Sequence, residues 1–386
     1  MKIGIIGYGG RMAGITDIIL KFGMGVELAS IADINPESVK QKLALRGITE
    51  QNIALYEDAD KMLDKEKLDG VLIGTRCSLH TKMAVKVLAR DIPLFLEKPV
   101  STTIEDLMLL KKASEESKSE VVVSFPLRVT PMVKLAKQIV QSGRLGTIEH
   151  VQAVNNVPYG GVYFHNWYRD ENETGGLFLQ KATHDFDYIN HLLGLKPVMI
   201  CAMKSKQIFK GEKEEGLFCK DCIENEACPE GPFVMQYFKC DTANGDMCCF
   251  AKDTGNEDSG SALIKYESGM HVSYSQNFFA RKEAAARGAR LLGYNGTLEF
   301  DWHKDELKVF MHDTPRVETY KLDSWKMSHG GGDEALVLNF IRVMQGRESS
   351  VAPIEAGLLS VLMCLKATLS SQTNTFQEIA WHNQSL

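Results

Sequence analysis

The sequence lacks an excess of basic residues, because its 44 Lys and Arg are outnumbered by 50 Asp and Glu and the formal net charge is −6. Nucleic acids and anionic membranes attract clustered positive charge, so neither is an expected partner. No apolar run approaches the length expected of a membrane span, and the first residues lack the long apolar core of a signal peptide. These absences favour a cytoplasmic protein that acts on a small molecule.

A disulfide framework is also not expected. The nine cysteines are an odd number, and no signal peptide precedes them, which is typical of free or metal-bound thiols in a reducing compartment. Within a polar, cysteine-rich insertion at residues 204–258, Cys219, Cys222 and Cys228 have the short spacing of a structural zinc site or an iron–sulfur cluster. A fourth ligand would come from Cys240, Cys248 or Cys249. Unpaired structural thiols are the alternative.

The composition, with 44% hydrophobic and 24% charged residues in a chain of 386, is that of a globular protein of two or three domains. Residues 1–124 alternate short apolar runs with amphipathic helical patterns, which predicts a doubly wound parallel sheet wrapped by helices. The predicted strands are Lys2–Ile6, Val26–Ala32, Ile53–Tyr56, Gly70–Ile73, Leu94–Leu96 and Val121–Ser124.

The first predicted strand runs directly into a glycine-rich loop, which is the candidate dinucleotide site. Gly7 permits a tight turn, and Gly9 lets the backbone approach a pyrophosphate at the start of the next helix. Asp33 ends the second strand, about 20 positions further on, where it can accept hydrogen bonds from ribose hydroxyls and repel a 2′-phosphate. The loop therefore predicts NAD binding in preference to NADP. The loop residues are Gly7, Tyr8, Gly9, Gly10, Arg11 and Met12.

Lys98 follows the fifth strand within Glu97-Lys98-Pro99. Because the carboxyl ends of parallel strands face the ligand crevice, Lys98 is predicted beside the nicotinamide. The alternative is a surface lysine before a proline turn.

A glycine pair at 175 and 176 precedes a predicted helix that carries Gln180, His184 and Asp187 on one face. On an arbitrary helix this stripe would be a solvated face. In a dinucleotide-binding chain it is a candidate acid/base element, with Lys181 beside it.

Together with Thr75–His80 and Phe125–Pro131, these features resemble the Gfo/Idh/MocA family, the glucose-fructose oxidoreductase and inositol dehydrogenase group, including its glycoside or sugar 3-dehydrogenases. The resemblance implies an NAD-binding Rossmann domain at 1–124. It also implies an α/β domain at 125–386 with a large open, mostly antiparallel sheet, which often builds dimers or tetramers, so a homo-oligomer is expected. Lys98 would contact substrate and nicotinamide, and His184 would act as the acid/base. Further cofactor contacts are expected from Thr75, Arg76, His80 and Glu97.

The chain departs from the family pattern at two places. Gln180 stands where members commonly have Asp, and an amide cannot hold the negative charge of a carboxylate, so Lys181 is expected to take part of that role. Arg76 and Cys77 stand where Pro and Asn are usual, so this loop is expected to hold the cofactor differently.

The segment 155–170 is dense in aromatic and hydrogen-bonding side chains, which is typical of a sugar pocket. The alternative is an aromatic packing segment. The candidate substrate residues are Arg128, Asn156, Tyr159, Trp167, Arg169, Gln180, Asp187 and His329.

The expected function is NAD-dependent oxidation of a secondary hydroxyl of a sugar or glycoside, with C3 of a pyranose as the expected position. One alternative is a redox-neutral glycosidase that works by transient oxidation and elimination. Another is a non-catalytic sugar or NAD sensor. The sequence also predicts a hairpin with a two-residue turn at Asn295-Gly296 and a solvated basic loop at Arg281–Arg290.

Overall fold

The structure is a computed structural model that describes residues 1–49, 52–231, 246–323 and 328–381. Cys240, one candidate metal ligand, lies outside the described residues. Two compact units are present, formed by the described residues of Met1–Pro131 with Ser324–Leu362 and of Met132–Asp323 with Met363–Leu386. The sequence predicted one domain boundary, at residue 124/125. That boundary leaves out the described residues of 324–362, which belong to the first unit.

The first unit is built on a fully parallel sheet in the order β3-β2-β1-β4-β5-β6. Its strands are β1 (Lys2–Ile6), β2 (Glu27–Ala32), β3 (Ala54–Tyr56), β4 (Gly70–Ile73), β5 (Leu94–Leu96) and β6 (Val121–Val123). The helices between them are α1 (Gly10–Phe22), α2 (Pro36–Leu45), α3 (Ala59–Lys65), α4 (His80–Leu88) and α5 (Ile104–Glu116), and α6 (Pro131–Gln141) follows. Apart from Lys2, Glu27 and the half-buried β3, the strand residues are buried, as expected for a sheet covered by helices on both faces. The predicted Rossmann domain is confirmed.

The second unit is built on a nine-stranded sheet, counted among the described residues, in the order β14-β13-β12-β11-β7-β10-β9-β8-β15. The first elements are β7 (Ile148–Asn156), α7 (Val162–His165), α8 (Glu171–Thr174), α9 (Leu177–Leu193), β8 (Pro197–Ser205) and β9 (Ser259–Tyr266). They are followed by β10 (His271–Asn277), β11 (Ala286–Gly293), β12 (Gly296–Asp301), β13 (Glu306–Met311) and β14 (Val317–Lys321). Only the β7–β10 pair among these strands is parallel, so the predicted mostly antiparallel sheet is confirmed.

The α9 helix packs on this sheet through aromatic side chains. Phe186 makes an edge contact with Tyr274 at a ring separation of 5.2 Å, and Tyr188 makes one with Trp302 at 4.9 Å. The polar positions of α9 from Gln180 to Asp187 are buried too, including Gln180 at 1% and Lys181 at 5% exposure. The alternative of a solvated polar face is therefore wrong.

The hairpin of β11 and β12 is present, but its turn lies one residue earlier than the predicted Asn295-Gly296. Leu292 pairs with Thr297, and two residues, Tyr294 and Asn295, lie between the end of β11 and the start of β12. The Asn295 N–H donates to the Leu145 carbonyl at 2.9 Å, and Gly296 pairs with Met311 of β13. Pairing with neighbouring segments thus takes up the residues of the Asn-Gly turn.

Near the C-terminus lie α10 (Gly332–Met344), α11 (Ile354–Thr373) and β15 (Gln377–Glu378). Among the described helices, α11 alone is long and apolar enough, by length and composition, to cross a membrane, with a mean hydropathy of 1.4. The expectation that no apolar run approaches that length is wrong in this respect. Because 56% of the window is buried, and core helices of soluble proteins pass the same test, this is weak evidence for a span.

Candidate active site

The glycine loop after β1 has the backbone that a pyrophosphate site requires. Gly7 has φ of 83°, and a Cβ there would lie 2.8 Å from Thr75 Cα, so only glycine fits. Gly9 is the N-cap residue of α1 and provides no side-chain cap. The first turn of α1 contains no acidic residue. The start of α1 can therefore receive an anion on its backbone N–H groups, as NAD binding needs.

Asp33 follows β2 beside the glycine loop, where an adenosine ribose is predicted to bind. One carboxylate oxygen accepts the Tyr8 N–H at 2.8 Å and the other accepts the Asn35 N–H at 2.9 Å. These bonds fix the carboxylate beside the glycine loop, and each oxygen retains a lone pair for a ribose hydroxyl. The residues of this site fit NAD.

Arg11 belongs to a partly buried ion cluster. Its Nε donates to Glu97 at 2.8 Å, and its two terminal nitrogens donate to both oxygens of Asp333 at 2.8 and 2.7 Å. Ser124 Oγ lies 3.0 Å from Nη2, and His329 Nδ1 lies 2.8 Å from Asp333. Burial alone would raise the pKa of Asp333, but Arg11 and His329 outweigh it and hold that pKa well below its usual range.

The sequence did not identify Asp333 as a member of the site, since its place after three glycines favoured a helix cap. His329, a predicted substrate residue, lies in this first-unit cluster. Its substrate contact stays a prediction.

His80 joins two segments around Lys98. Its Nδ1 lies 2.7 Å from the Pro99 carbonyl and its Nε2 lies 3.2 Å from the Thr75 carbonyl. Burial lowers the pKa of His80, which favours a neutral ring. Lys98 is half-buried just beyond β5 and precedes a cis peptide bond to Pro99. The contacts predicted for these residues with the cofactor stay predictions.

Two other predicted residues of the first unit differ in exposure. Arg76 is exposed, whereas Arg128 is buried and donates to the Val351 carbonyl at 3.0 Å. A structural role thus accounts for part of the hydrogen-bonding capacity of Arg128.

In the second unit, the side chains of Glu257 and Gln180 fix the start of α9 by hydrogen bonds to the backbone. Gly176 precedes the helix with φ of 90°, and Glu257, at the end of the insertion, accepts the Phe178 N–H at 2.6 Å. Gln180 Nε2 donates to the Thr174 carbonyl at 2.8 Å. A carboxylate at position 180 could not make this bond, because it has no donor.

Lys181 is a buried amine on α9. Its Nζ donates to the Tyr159 hydroxyl at 2.7 Å and lies 4.6 and 4.9 Å from the ring centres of Tyr159 and Tyr163. Burial lowers the pKa of Lys181, an effect that Tyr159 opposes and nearby Arg287 reinforces. His184, three residues on along α9, is 7% exposed.

A buried carboxylate supports the same helix. Asp185 accepts two bonds from Arg287, at 2.9 and 2.8 Å, and one each from Asn155 and Tyr274. Arg287 falls in the basic run predicted to be a solvated loop, and that prediction is wrong for this residue. No local signal marks the pair, because its members are 102 positions apart.

The aromatic segment before α9 is in large part a packing segment. Phe164 is fully buried and stacks on Phe209 of the insertion at a ring separation of 4.1 Å. Trp167 stacks on Tyr168 at 3.9 Å. Arg169 donates to the Cys248 carbonyl and to Asp253 and Thr254, at 3.0, 2.6 and 2.7 Å.

Arg169 therefore anchors the insertion, while Trp167 remains half-buried. Asn156 accepts from Asn277 at 2.6 Å, and Asp187 is 1% exposed. The substrate contacts of these residues stay predictions.

The described cysteines are free thiols, as expected. Cys219, Cys222, Cys228 and Cys248 line one cavity of about 320 Å³. Even so, the described part of the chain holds no group of three or more His, Cys, Asp or Glu side chains that could hold a metal ion. Burial raises the pKa of Cys219 to about 12, which favours the thiol over a metal-binding thiolate. The zinc or iron–sulfur prediction is not supported.

Two family models match the chain in order. The model for an oxidoreductase family with an NAD-binding Rossmann fold covers residues 1–125, and the GFO/IDH/MocA C-terminal domain covers residues 133–299. The chain belongs to the GFO/IDH/MocA family. It is therefore an oxidoreductase with an NAD-binding Rossmann domain.

Known members show how far the likeness extends. YteT of Bacillus subtilis (strain 168), whose name describes an oxidoreductase, is 26% identical over 90% of each chain. Inositol 2-dehydrogenase of Rhizobium meliloti (strain 1021) is 23% identical over 56% of this chain and 62% of its own length. Levoglucosan dehydrogenase, solved with NADH and levoglucosan, matches 99% of this chain and 100% of its own with a TM-score of 0.79 at 17% identity. That likeness shows the fold alone.

Proposed function

We propose that this protein oxidises a secondary hydroxyl of a sugar or glycoside to a ketone with NAD. The observation that carries the proposal is the buried titratable face of α9, where Lys181 contacts Tyr159 and His184 lies three residues away. In a family of NAD-binding oxidoreductases, such a face supplies the proton acceptor that alcohol oxidation requires. The names of inositol dehydrogenase and levoglucosan dehydrogenase support this substrate class.

The residues of the first unit would hold and orient the cofactor. The backbone of Gly7–Gly10 and the start of α1 would bind the pyrophosphate, and Asp33 would bind the ribose hydroxyls. NAD, when bound, accepts the hydride. Lys98 would orient the substrate hydroxyl and the nicotinamide. On α9, His184 and Lys181 are the candidate groups for binding the hydroxyl and taking its proton.

The expected position of oxidation is C3 of a pyranose, as in the sugar 3-dehydrogenases that the sequence resembles. Tyr159 and Trp167 offer half-buried aromatic rings of the kind that stack on a sugar face. The test is a panel of free sugars, cyclic polyols and glycosides incubated with the protein and NAD. An increase in NADH absorbance with a sugar, followed by location of the keto carbon by NMR, would support the proposal. An increase in NADH absorbance only with simple acyclic alcohols would contradict it.

A second candidate is redox-neutral cleavage of a glycoside. The ketone of a transient 3-keto sugar acidifies the C2–H. Elimination of the aglycone then needs a second proton acceptor to remove that C2 proton. The presence of two titratable groups, Lys181 and His184, on one buried face favours this reading. Incorporation of solvent deuterium at C2 with release of the aglycone and no net NADH would establish it. Tight NAD binding without turnover of any sugar would instead indicate a sensor.

Self-association also remains a proposal. On the second-unit sheet, Met203 of β8 and Leu263 of β9 are 75% and 51% exposed. Apolar side chains exposed on a sheet face are common at subunit interfaces. We expect a homo-oligomer in light scattering, and Met203→Asp should shift it toward smaller species.

A further inference from the structure

The contact between Lys181 and Tyr159 is unequal in its access to solvent. Lys181 is 5% exposed, and its Nζ donates to the Tyr159 hydroxyl at 2.7 Å. Tyr159 itself is half-buried. Tyr159 is therefore the more accessible member of the pair for a substrate that arrives from solvent.

Aromatic and charged groups surround the pair and act on both of its members. The ring of Tyr163 also lies beside the Lys181 Nζ, and Arg287 of β11 is close enough to act electrostatically on both Lys181 and Tyr159. Positive charge near a phenol stabilises its phenolate. Arg287 is paired with Asp185 through two hydrogen bonds, so part of its charge is compensated. His184 is the other titratable group on this face of α9.

We infer that Tyr159 is the catalytic residue that exchanges a proton with the substrate hydroxyl, and that Lys181 is the positioning residue that receives the proton behind it. The inference rests on the proposed function. It assigns to this pair the acid/base work that a carboxylate at position 180 would support in the usual family pattern. Gln180 cannot do that work, because an amide does not titrate, and its Nε2 is bonded to the Thr174 carbonyl.

The proton and electron balance of the step is simple. The substrate O–H proton moves to the Tyr159 oxygen, while the phenol proton of Tyr159 moves to the neutral amine of Lys181. Bound NAD would accept the hydrogen of the carbinol carbon with its electron pair, and the O–H electron pair would become the second bond of the C=O group. His184 then holds the reacting oxygen by a hydrogen bond. Lys181 ends the step as an ammonium and returns its proton to solvent.

Because burial lowers the pKa of Lys181, the neutral amine is accessible closer to neutral pH than in an exposed lysine. The rate should rise as pH increases through the pKa of the pair. Tyr159 acts to raise the pKa of Lys181. Loss of the phenol in Tyr159→Phe should therefore lower the pKa of Lys181 further.

The first test needs no turnover. In protein labelled with ¹³C-lysine, Lys181 is assigned by the signal that Lys181→Met removes, and its pKa is followed by NMR. The expected result is titration below the other lysines and a further fall in Tyr159→Phe. Titration with the exposed lysines, or no response to Tyr159→Phe, would overturn the inference.

The second test uses a sugar that the wild-type protein oxidises. Tyr159→Phe should lower kcat by about 10²–10⁴-fold with a much smaller change in KM, because it removes a proton-transfer group. Lys181→Met should act similarly and flatten the rise of rate with pH. Lys181→Arg keeps the charge but cannot accept a proton, so it should not rescue activity. Tyr294→Phe, on an exposed tyrosine, is the control and should leave the rate unchanged.

The outcomes distinguish a failure of the proposed function from a failure of the Tyr159–Lys181 pair. Turnover by the wild-type protein together with near-normal turnover by Tyr159→Phe overturns the role of the pair alone. Absence of turnover by the wild-type protein on every sugar overturns the proposed function, and the role of the pair with it.

Discussion

Arg287 donates two hydrogen bonds to one carboxylate oxygen of Asp185, at 2.9 and 2.8 Å. The other oxygen accepts from Asn155 of β7 and Tyr274 of β10, and the Asp185 side chain is fully buried. Asp185 is adjacent to His184 in sequence. One carboxylate therefore ties α9 to three strands of the sheet and fixes the orientation of the titratable face.

Arg287→Met should destabilise the second unit, because it leaves Asp185 buried without its positive partner. Loss of one member of a buried pair costs about 3–5 kcal/mol. Arg290→Met is the matched control. Arg290 lies on the same strand, β11, but is about half exposed, and its Nε lies 3.6 Å from Glu299 of β12. Its cost should be below about 1 kcal/mol. Urea unfolding followed by circular dichroism measures both, and equal losses would contradict the assigned role of Arg287.

Asp333 should make the first unit sensitive to acid. Its folded-state pKa is held well below the usual range, whereas in the unfolded chain it takes up a proton near pH 4. The stabilisation is thus present above about pH 4 and is lost as the pH falls further through the folded pKa. Asp333→Asn should unfold more easily than the wild type at pH 7, with the difference shrinking toward low pH.

The comparison uses unfolding curves over that pH range. Arg11→Met and the double variant complete a cycle, because Arg11 donates to both oxygens of Asp333. Their effects should be strongly non-additive. A constant difference between wild type and Asp333→Asn at all pH values would count against this assignment.

Local patterns were sufficient for the strands of the first unit. The strand boundaries predicted from apolar runs lie within one residue of those observed, and Gly7 and Asp33 lie where the dinucleotide pattern places them. These features depend on neighbours in sequence. The predicted Asn295-Gly296 turn failed because pairing with β13 and with Leu145 outweighs a local preference.

The support of the candidate site could not be read from local patterns. Asp333 lies 322 positions from Arg11, and Arg287 lies 102 positions from Asp185. A basic run and a cap-like Asp look the same in sequence whether or not a distant partner buries them. Lys181 was singled out by its place beside Gln180, but its contact with Tyr159 appears only in three dimensions.

Asp33 should determine the choice of cofactor. Its carboxylate is fixed by the Tyr8 and Asn35 amides at the place where a 2′-phosphate would meet its negative charge. Asp33→Ser should weaken NADH binding and narrow its advantage over NADPH by about 10-fold or more, equivalent to about 1.4 kcal/mol. Fluorescence titration with both cofactors measures the ratio. Asp69→Ser is a control on a carboxylate that accepts from the Lys2 amide, and an equal change of ratio there would contradict the role of Asp33.

His184 and Lys98 should be needed for turnover and not for holding NAD. His184 lies on the titratable face of α9, and Lys98 lies just beyond β5, while the predicted pyrophosphate and ribose contacts come from the glycine loop and Asp33. His184→Ala and Lys98→Ala should each lower kcat by about 10²–10⁴-fold, since each removes a group that orients or titrates with the reacting hydroxyl. The Kd for NADH should change little.

Lys82→Ala, on the exposed face of α4, should retain full activity. Near-normal turnover in both site variants would show that the chemistry is carried out elsewhere, whereas loss of NADH binding in His184→Ala would show that this residue belongs to the cofactor site.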